Sequence, residues 1–227
     1  MQVIAHEMLN SFTPVGSLAS TIKHITEDEE GQVVNATSLS DDQIIDINLA
    51  ANTITKRSEG LLNFVEDYRS LSNLPEPQAK PVNLKEFIHN IGRLMKPVLD
   101  EQGVALNIGV IPPRAELRFD PKQIEQVLIN LIGNSLYALE GTDDPYIAIE
   151  CEIQYTHTTI LVSDNGHGIP PEILHQVFVP FFTTRKHGSG IGLSLSKDIM
   201  KQHQGNLLVA SIPGKKTTFS LAFPGQI

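Results

Sequence analysis

Residues 158–169 read TTILVSDNGHGI, an apolar segment that ends in an aspartate and two glycines. The first six residues are apolar or β-branched except for Ser163, which is typical of a buried strand. Glycines at a strand end let the backbone approach a ligand closely. The carboxylate of Asp164 can accept a hydrogen bond from an exocyclic amine such as that of adenine. Alone, the segment is equally compatible with an ordinary turn, so its neighbours decide how it is interpreted.

Upstream of this strand, the pattern predicts a helix from Pro121 to Leu139 with one buried apolar stripe. Another face of this helix carries Asn130 and Asn134, which are four residues apart and therefore lie one above the other. Two stacked asparagines can hold a hydrated cation and phosphates. Taken alone, such a pair is more often solvated helix surface.

Downstream, residues 188–194 read GSGIGLS and open a predicted helix from Ile191 to His203. The free N–H groups and the positive dipole end of a helix start suit a phosphate. The spacing is neither that of the P-loop, GxxxxGK[ST], nor that of the dinucleotide fingerprint, GxGxxG. Between the two glycine blocks, residues 177–190 supply three phenylalanines and the donors Arg185 and Lys186. We interpret this segment as a mobile lid over a nucleotide.

Composition excludes several classes of function. The 227-residue chain has a net charge of −9 and a single cysteine, Cys151. The acidic balance disfavours a nucleic-acid binder, and one cysteine gives neither an internal disulfide nor a zinc cluster. No apolar run approaches the ~20 residues of a membrane span. We expect a cytoplasmic fragment without membrane contact of its own, from a protein that extends upstream and has room there for a membrane anchor.

The N-terminal part is predicted to be helical. Apolar residues recur every three or four positions from Val3 to Ile25, whereas His6 and Asn10 lie on another, polar face. A second helix from Asp41 to Leu71 shows a seven-residue apolar repeat typical of a coiled-coil seam. Two such antiparallel hairpins would satisfy this seam in a four-helix bundle, which predicts a homodimer. The alternative is a hairpin that packs within its own chain on the second domain.

A proline-rich linker then separates two domains, assigned to residues 1–74 and 82–227 with the linker at 75–81. Beyond it, helices alternate with strands, which predicts an α+β fold with helices on one face of a mixed sheet. The predicted strands are 104–110, 116–119, 146–155, 158–163, 206–211 and 217–223, and the first helix of this domain is 84–102.

The motifs together are far more specific than any one of them. NLIGNS (130–135), DNGHGI (164–169), FVPFFTTR (178–185) and GSGIGLS (188–194) resemble, in order and spacing, the N, G1, F and G2 boxes of the sensor histidine kinase ATP-binding domain. That α/β sandwich is shared with gyrase, chaperone and mismatch-repair ATPases. KKTTFSLAFP (215–224) resembles its last strands, and HEMLNSFTPV (6–15) stands in the phosphoacceptor position. The resemblance covers nearly the whole chain except the loop at 26–40.

The resemblance implies ATP and Mg²⁺ as ligands and assigns roles to matching residues. Asn134 corresponds to the magnesium ligand, Asn130 to its phosphate-side partner, and Asp164 to the adenine contact. Gly166 and Gly168 would keep the floor of the pocket open, and Ser135 replaces a frequent alanine, a change that we expect to be tolerated. The remaining assigned nucleotide contacts are Arg185, Lys186, Gly188, Gly190, Gly192, Leu193 and Thr218.

The implied activity is autophosphorylation of His6, with Glu7 as the base, followed by transfer to an aspartate in the receiver domain of a response regulator. ATP-hydrolysing relatives carry a glutamate where this chain has Asn130, so transfer is expected to prevail over hydrolysis. Asn10 matches the residue that orients water, which predicts phosphatase activity on the regulator. The alternatives are a nucleotide-sensing module without phosphotransfer, and a serine kinase or ATPase of the same fold.

Overall fold

The computed structural model describes residues 2–28, 30–72, 74–154, 156–185 and 188–225. For residues 2–11, 36, 63, 64 and 66–72 the description covers the backbone only. The chain divides into two compact units, Met1–Arg69 and Ser70–Ile227. Within the described ranges, no helix combines the length and the apolar character needed to cross a bilayer.

The first unit contains two long helices. Helix α1 spans Gln2–Thr26 and helix α2 spans Asp41–Ser72, with a short 3₁₀ turn at Ala36–Ser38 between them. Helix α2 begins with a capping box, because the Ser40 N–H donates to Gln43 Oε1 and the Gln43 N–H donates to Ser40 Oγ, at 2.9 and 3.2 Å. The predicted helices at 3–25 and 41–71 are therefore present.

The second unit is built on a five-stranded mixed sheet. Its strands are β2 Ala105–Ile108, β4 Tyr146–Ile153, β5 His157–Asp164, β6 Asn206–Ile212 and β7 Lys216–Pro224, in the order β2-β4-β5-β7-β6. Only β2 and β4 are parallel. Strands β1 Lys80–Asn83 and β3 Glu116–Phe119 form a separate antiparallel pair.

Three helices cover one face of the large sheet: α3 Leu84–Glu101, α4 Pro121–Ala138 and α6 Gly192–Gln202. The core between the layers is apolar, with Leu131, Ile160 and Leu221 fully buried. Helices α3 and α4 start at side-chain caps, because the Asn83 side chain accepts from the Glu86 N–H and the Asp120 carboxylate accepts from two backbone N–H groups of α4. A single-turn helix, α5 Pro171–Leu174, precedes the glycine-rich segment.

The segment that leads into β1 is fastened to the helices of this unit. Asp120 Oδ2 accepts from the Gln78 N–H at 2.9 Å, and Gln123 Nε2 donates to the Pro75 carbonyl at 2.8 Å. His203 Nε2 accepts from the Asp120 N–H at 3.0 Å. Its Nδ1 lies 2.8 Å from the Ile199 carbonyl, so each ring nitrogen has a backbone partner.

The predicted α+β class is confirmed, with helices first and a mixed sheet covered on one face. All six predicted strands and the three predicted helices of the second unit are present, and each end lies within two residues of the predicted one. The last two residues of the predicted linker, Lys80 and Pro81, belong to β1. Pro81 suits this position because β1 pairs only with β3, which leaves its other edge free.

Candidate nucleotide site

One end of the candidate site is a buried carboxylate at the end of β5. Asp164 is 1% exposed. Its Oδ2 accepts a hydrogen bond from Ser135 Oγ on α4 at 2.9 Å, and its Oδ1 accepts from the Gly166 N–H at 3.0 Å. An ionised carboxylate has about four acceptor positions. Two of them are used by these donors, so the group retains acceptor capacity for a ligand amine.

Burial raises the pKa of Asp164 above its usual value, because the charged form loses its hydration. The hydrogen bonds from Ser135 and from the Gly166 N–H act in the opposite direction, as does the nearby charge of protonated His167. The carboxyl is therefore held in a balance between desolvation and the donors that surround it.

The two glycines after Asp164 are needed for backbone packing. A Cβ on Gly166 would lie 2.3 Å from the Ala138 carbonyl oxygen, at the end of α4. Gly168 has φ +72°, and a Cβ there would lie 2.7 Å from the Ile212 carbonyl oxygen. The loop thus packs tightly between α4 and the β6–β7 turn. The two glycines are needed for this backbone packing, in addition to the expected role of keeping the floor of the pocket open.

The sheet register separates two neighbouring threonines. Asp164 pairs with Thr217, whereas Thr218 pairs with Ser163 and lies 2.9 Å from its hydroxyl. Successive residues of a strand point to opposite faces. Thr217, which is 3% exposed, therefore shares the helix-covered face with Asp164, and the predicted contact Thr218 lies on the other face.

The other end of the site lies between α4 and the start of α6. Asn130 is half-buried, and its Nδ2 donates to Ser196 Oγ at 2.9 Å. A Cβ on Gly192 would lie 2.2 Å from Asn130 Oδ1, so glycine lets α6 approach this side chain without displacing it. In contrast to α3 and α4, α6 has no side-chain cap. Its first N–H groups are therefore available to an anion.

Asn134 is engaged by the lid. Arg185 Nη2 lies 2.8 Å from Asn134 Oδ1 and 3.3 Å from its carbonyl oxygen. The same guanidinium stacks over the Tyr137 ring, with its central carbon 4.2 Å from the ring centroid. Burial lowers the pKa of Arg185, and the neighbouring Tyr137 and Glu140 raise it. The amide oxygens of Asn130 and Asn134 are the type of neutral oxygen donor that Mg²⁺ accepts beside phosphate oxygens.

The glycines of the lid are held by tight backbone turns. Gly190 has φ +67°, and a Cβ there would lie 2.6 Å from the carbonyl carbon of Phe181. The Phe181 N–H donates to the Gly190 carbonyl at 2.9 Å, and Phe181 itself has φ +68°, which is costly for a bulky residue. A Cβ on Gly188 would lie 2.8 Å from Thr183 Oγ1. Leu193, in the first turn of α6, packs against the core.

The remaining predicted residues lie beyond what these contacts describe. His6, Glu7 and Asn10 belong to α1, whose backbone alone is described at these positions. Lys186 lies outside the described residues. Sequence reasoning missed Tyr137 and Ser196, which carried no motif signal, and it noticed Ser135 only as a departure from a pattern.

Comparisons with known proteins relate the chain to histidine kinases and related ATPases. The family described as "Histidine kinase-, DNA gyrase B-, and HSP90-like ATPase" matches residues 119–227. Sporulation kinase A of Bacillus subtilis is 28% identical over 97% of this chain and 33% of its own length. Sensory histidine kinase/phosphatase NtrB of Salmonella typhimurium is 30% identical over 80% of this chain and 56% of its own length.

A solved structure of histidine kinase ThkA in complex with response regulator protein TrrA matches 99% of this chain and 60% of that chain, with a TM-score of 0.69 and 23% identity. At this identity the match supports the fold alone. Residues 119–227 thus form an ATPase-type nucleotide domain. The chain as a whole is similar to the catalytic core of sensor histidine kinases. It spans between a third and three fifths of the length of the curated relatives named here.

Proposed function

We propose that this chain transfers the γ-phosphoryl group of ATP to His6 and then to an aspartate of a response regulator. The observation that carries the proposal is the site along α4, where Asp164 supplies a base-binding acceptor and Asn130 faces the uncapped start of α6. Asn130 stands where a hydrolysing relative would have a glutamate. Within the described residues, no cluster of three histidines, cysteines or acidic residues offers an alternative metal centre.

The proposed residue roles follow from this arrangement. Asp164 accepts from the adenine amine, and Thr217, which shares its face, replaces Thr218 as the threonine beside the base. Asn134 and Asn130 hold Mg²⁺, which when bound supplies neutralisation of phosphate charge. The N–H groups at the start of α6 and the guanidinium of Arg185 bind the phosphates. When Arg185 turns to a phosphate it gives up its hydrogen bond to Asn134 Oδ1, and this oxygen becomes free to bind Mg²⁺.

Phosphoryl transfer to His6 is an in-line displacement. One ring nitrogen of neutral His6 forms a bond to the γ-phosphorus, and the bond between that phosphorus and the oxygen of the departing ADP breaks. The proton on the other ring nitrogen passes to Glu7. Asn10, at i+4 from His6, would position water for the reverse function, removal of phosphate from the regulator.

A homodimer completes the proposal. Three large apolar side chains of α2 remain largely exposed in the single chain, namely Ile45 at 62%, Leu49 at 65% and Leu62 at 65%. Apolar surface of this kind on a long helix favours a partner helix. Sedimentation equilibrium should therefore give twice the mass of the chain, and Leu49→Lys should shift the equilibrium towards the monomer.

Incubation with ATP labelled at the γ-phosphate tests the activity. We expect a label on the protein that is acid-labile and alkali-stable, as a phosphoramidate is, and that is absent from His6→Gln. Nucleotide binding with no label on the wild-type protein would indicate a sensing module instead. A label that survives acid would indicate a serine kinase, and release of free phosphate without labelled protein would indicate an ATPase.

A further inference from the structure

Ser135 is more than a small residue that fits behind the site. It is 1% exposed, and its hydroxyl group points at a carboxylate rather than back at its own helix. In the interior of a helix, a serine hydroxyl commonly bonds a backbone carbonyl of the preceding turn. Here it donates to Asp164 Oδ2 across the gap between α4 and β5 at 2.9 Å. The contact joins two elements that otherwise meet through apolar packing.

The geometry of the carboxylate gives this bond a consequence. The Gly166 N–H holds Asp164 Oδ1, and Ser135 holds Oδ2, so the plane of the carboxylate is fixed by one donor on each oxygen. A hydroxyl that donates to an oxygen also disfavours a proton on that oxygen. Both effects keep Asp164 an acceptor, which is the form that recognises an amine and repels a carbonyl oxygen.

Few groups around Asp164 can hold its carboxylate in the acceptor form. Its strand neighbours in the register are Ile147 on β4 and Thr217 on β7, and neither ionises. Ser135 is its partner on α4, and His167 in the following loop is the titratable neighbour whose charge acts on it. Among these described residues, Ser135 is the one side chain that donates a hydrogen bond to the carboxylate.

We propose that Ser135 is a positioning residue that holds Asp164 as a hydrogen-bond acceptor and so selects a 6-aminopurine nucleotide over a 6-oxopurine nucleotide. The inference rests on the proposed function, because it takes the Asp164 end of the site to receive the base. The exchange of serine and alanine at position 135 is then no longer expected to be neutral, because alanine fits the space but lacks the hydroxyl donor.

The test compares Ser135→Ala with Ser163→Ala, using ATP and ITP as probes. Ser163 is a matched control because it is also buried, at 2% exposure, and adjoins Asp164 in sequence, but its hydroxyl lies against Thr218 on the opposite face. We expect Ser135→Ala to raise the KM for ATP about 10-fold, the value of one hydrogen bond to a charged group, with kcat nearly unchanged. Its preference for ATP over ITP should fall by a similar factor.

The pH dependence of ATP affinity distinguishes a positioning role of Ser135 from a role in packing alone. The bond from Ser135 lowers the pKa of Asp164, so its removal should move the acid-side loss of ATP affinity to higher pH. Ser163→Ala should leave both this midpoint and the ATP/ITP ratio unchanged. Ser135→Cys, which retains a weak donor, should lie between wild type and alanine and provides a second variant if alanine folds poorly.

The outcomes distinguish this inference from the proposed function. If wild-type protein binds ATP but Ser135→Ala keeps its ATP/ITP ratio and its pH midpoint, the positioning role is overturned. An equal change in both serine variants would also overturn it, since that would report general loosening. If wild-type protein binds neither nucleotide, the proposed function itself fails.

Discussion

The two ends of the candidate site are built differently. At the base end, Asp164 and Ser135 are almost fully buried and come from a strand and a helix that pack directly on each other. At the proposed phosphate end, Asn130 and Asn134 are half-buried, and their hydrogen-bond partners are Ser196 on α6 and Arg185 in the segment before the glycines. The comparison teaches that the proposed base end is held by buried contacts between a strand and a helix, whereas the proposed phosphate end is built from partly exposed side chains.

Removal of the acceptor should have the largest effect at the preformed end. In Asp164→Asn the ligand amine loses its charged acceptor and can meet an amide donor instead, so we expect ATP affinity to fall about 100-fold, near the upper end of the range for a hydrogen bond to a charged group. The fold should survive, because the change removes a buried charge. Isothermal titration with ATP and a thermal melt measure the two effects, and wild-type affinity in this variant would place the base elsewhere.

A change at the helix start should have a smaller effect. In Gly192→Ala the added methyl group conflicts with the flexible end of the Asn130 side chain, which can move, so we expect the domain to fold but to bind Mg·ATP about 10-fold more weakly. Binding of adenosine, which has no phosphate, should not change.

Gly133→Ala is the matched control for this prediction. Gly133 lies on α4 beside Asn134, and a Cβ there would meet nothing within 4 Å. Alanine should raise the free energy of unfolding by up to about 1 kcal/mol and leave Mg·ATP affinity as it is. A comparable loss of affinity in both variants would mean that the Asn130 contact is not the cause.

Loss of the Tyr137 ring beneath the Arg185 guanidinium should have a smaller effect on activity. In Tyr137→Leu the guanidinium loses the aromatic face on which it rests, and we expect kcat for autophosphorylation to change about 2- to 5-fold, the value of an exposed cation–π contact. Tyr137→Phe keeps the ring and should behave as wild type. If phenylalanine and leucine act alike, the ring is not what positions Arg185.

The smallest effect concerns stability and acidity. Because burial raises the folded-state pKa of Asp164 above its usual 3.8, the folded state binds that proton more tightly than the unfolded chain does. As the pH falls from above the folded-state pKa of Asp164 to its usual 3.8, the wild-type protein should therefore become more stable relative to Asp164→Asn, while its binding of ATP weakens. Urea denaturation of both proteins at several pH values measures the difference, and a constant difference would show that Asp164 titrates alike in both states.

The backbone pattern of the second unit was predictable because its helices and strands each bury one clear apolar stripe, as Leu131 and Ile160 illustrate. Strand β1 was missed because prolines dominate its surroundings and because its partners on β3 lie 33 to 39 positions away, from Asn83 with Glu116 to Lys80 with Phe119. Position in the motif is enough to single out Asp164 and Asn130 as candidate site residues.

Side-chain partners were not predictable in the same way. The choice between Thr217 and Thr218 depends on the register of β7 against β5, which a one-residue shift reverses. Ser135 and Tyr137 are ordinary residues of a helix until tertiary packing brings Asp164 and Arg185 to them. Such contacts join residues that are 29 and 48 positions apart, and no local pattern encodes them.

The fastening of Pro75 and Gln78 to α4 has a consequence for where the polypeptide can be cut. A fragment that began at β1 would leave the amide of Gln123, whose Oε1 is already without a partner among the described residues, with neither of its polar ends satisfied. Asp120 would lose a donor that helps to keep the pKa of its carboxyl low against the effect of burial. A stable fragment of the ATP-binding part therefore has to include Pro75, and limited proteolysis should yield an N-terminal end at Pro75 or upstream of it.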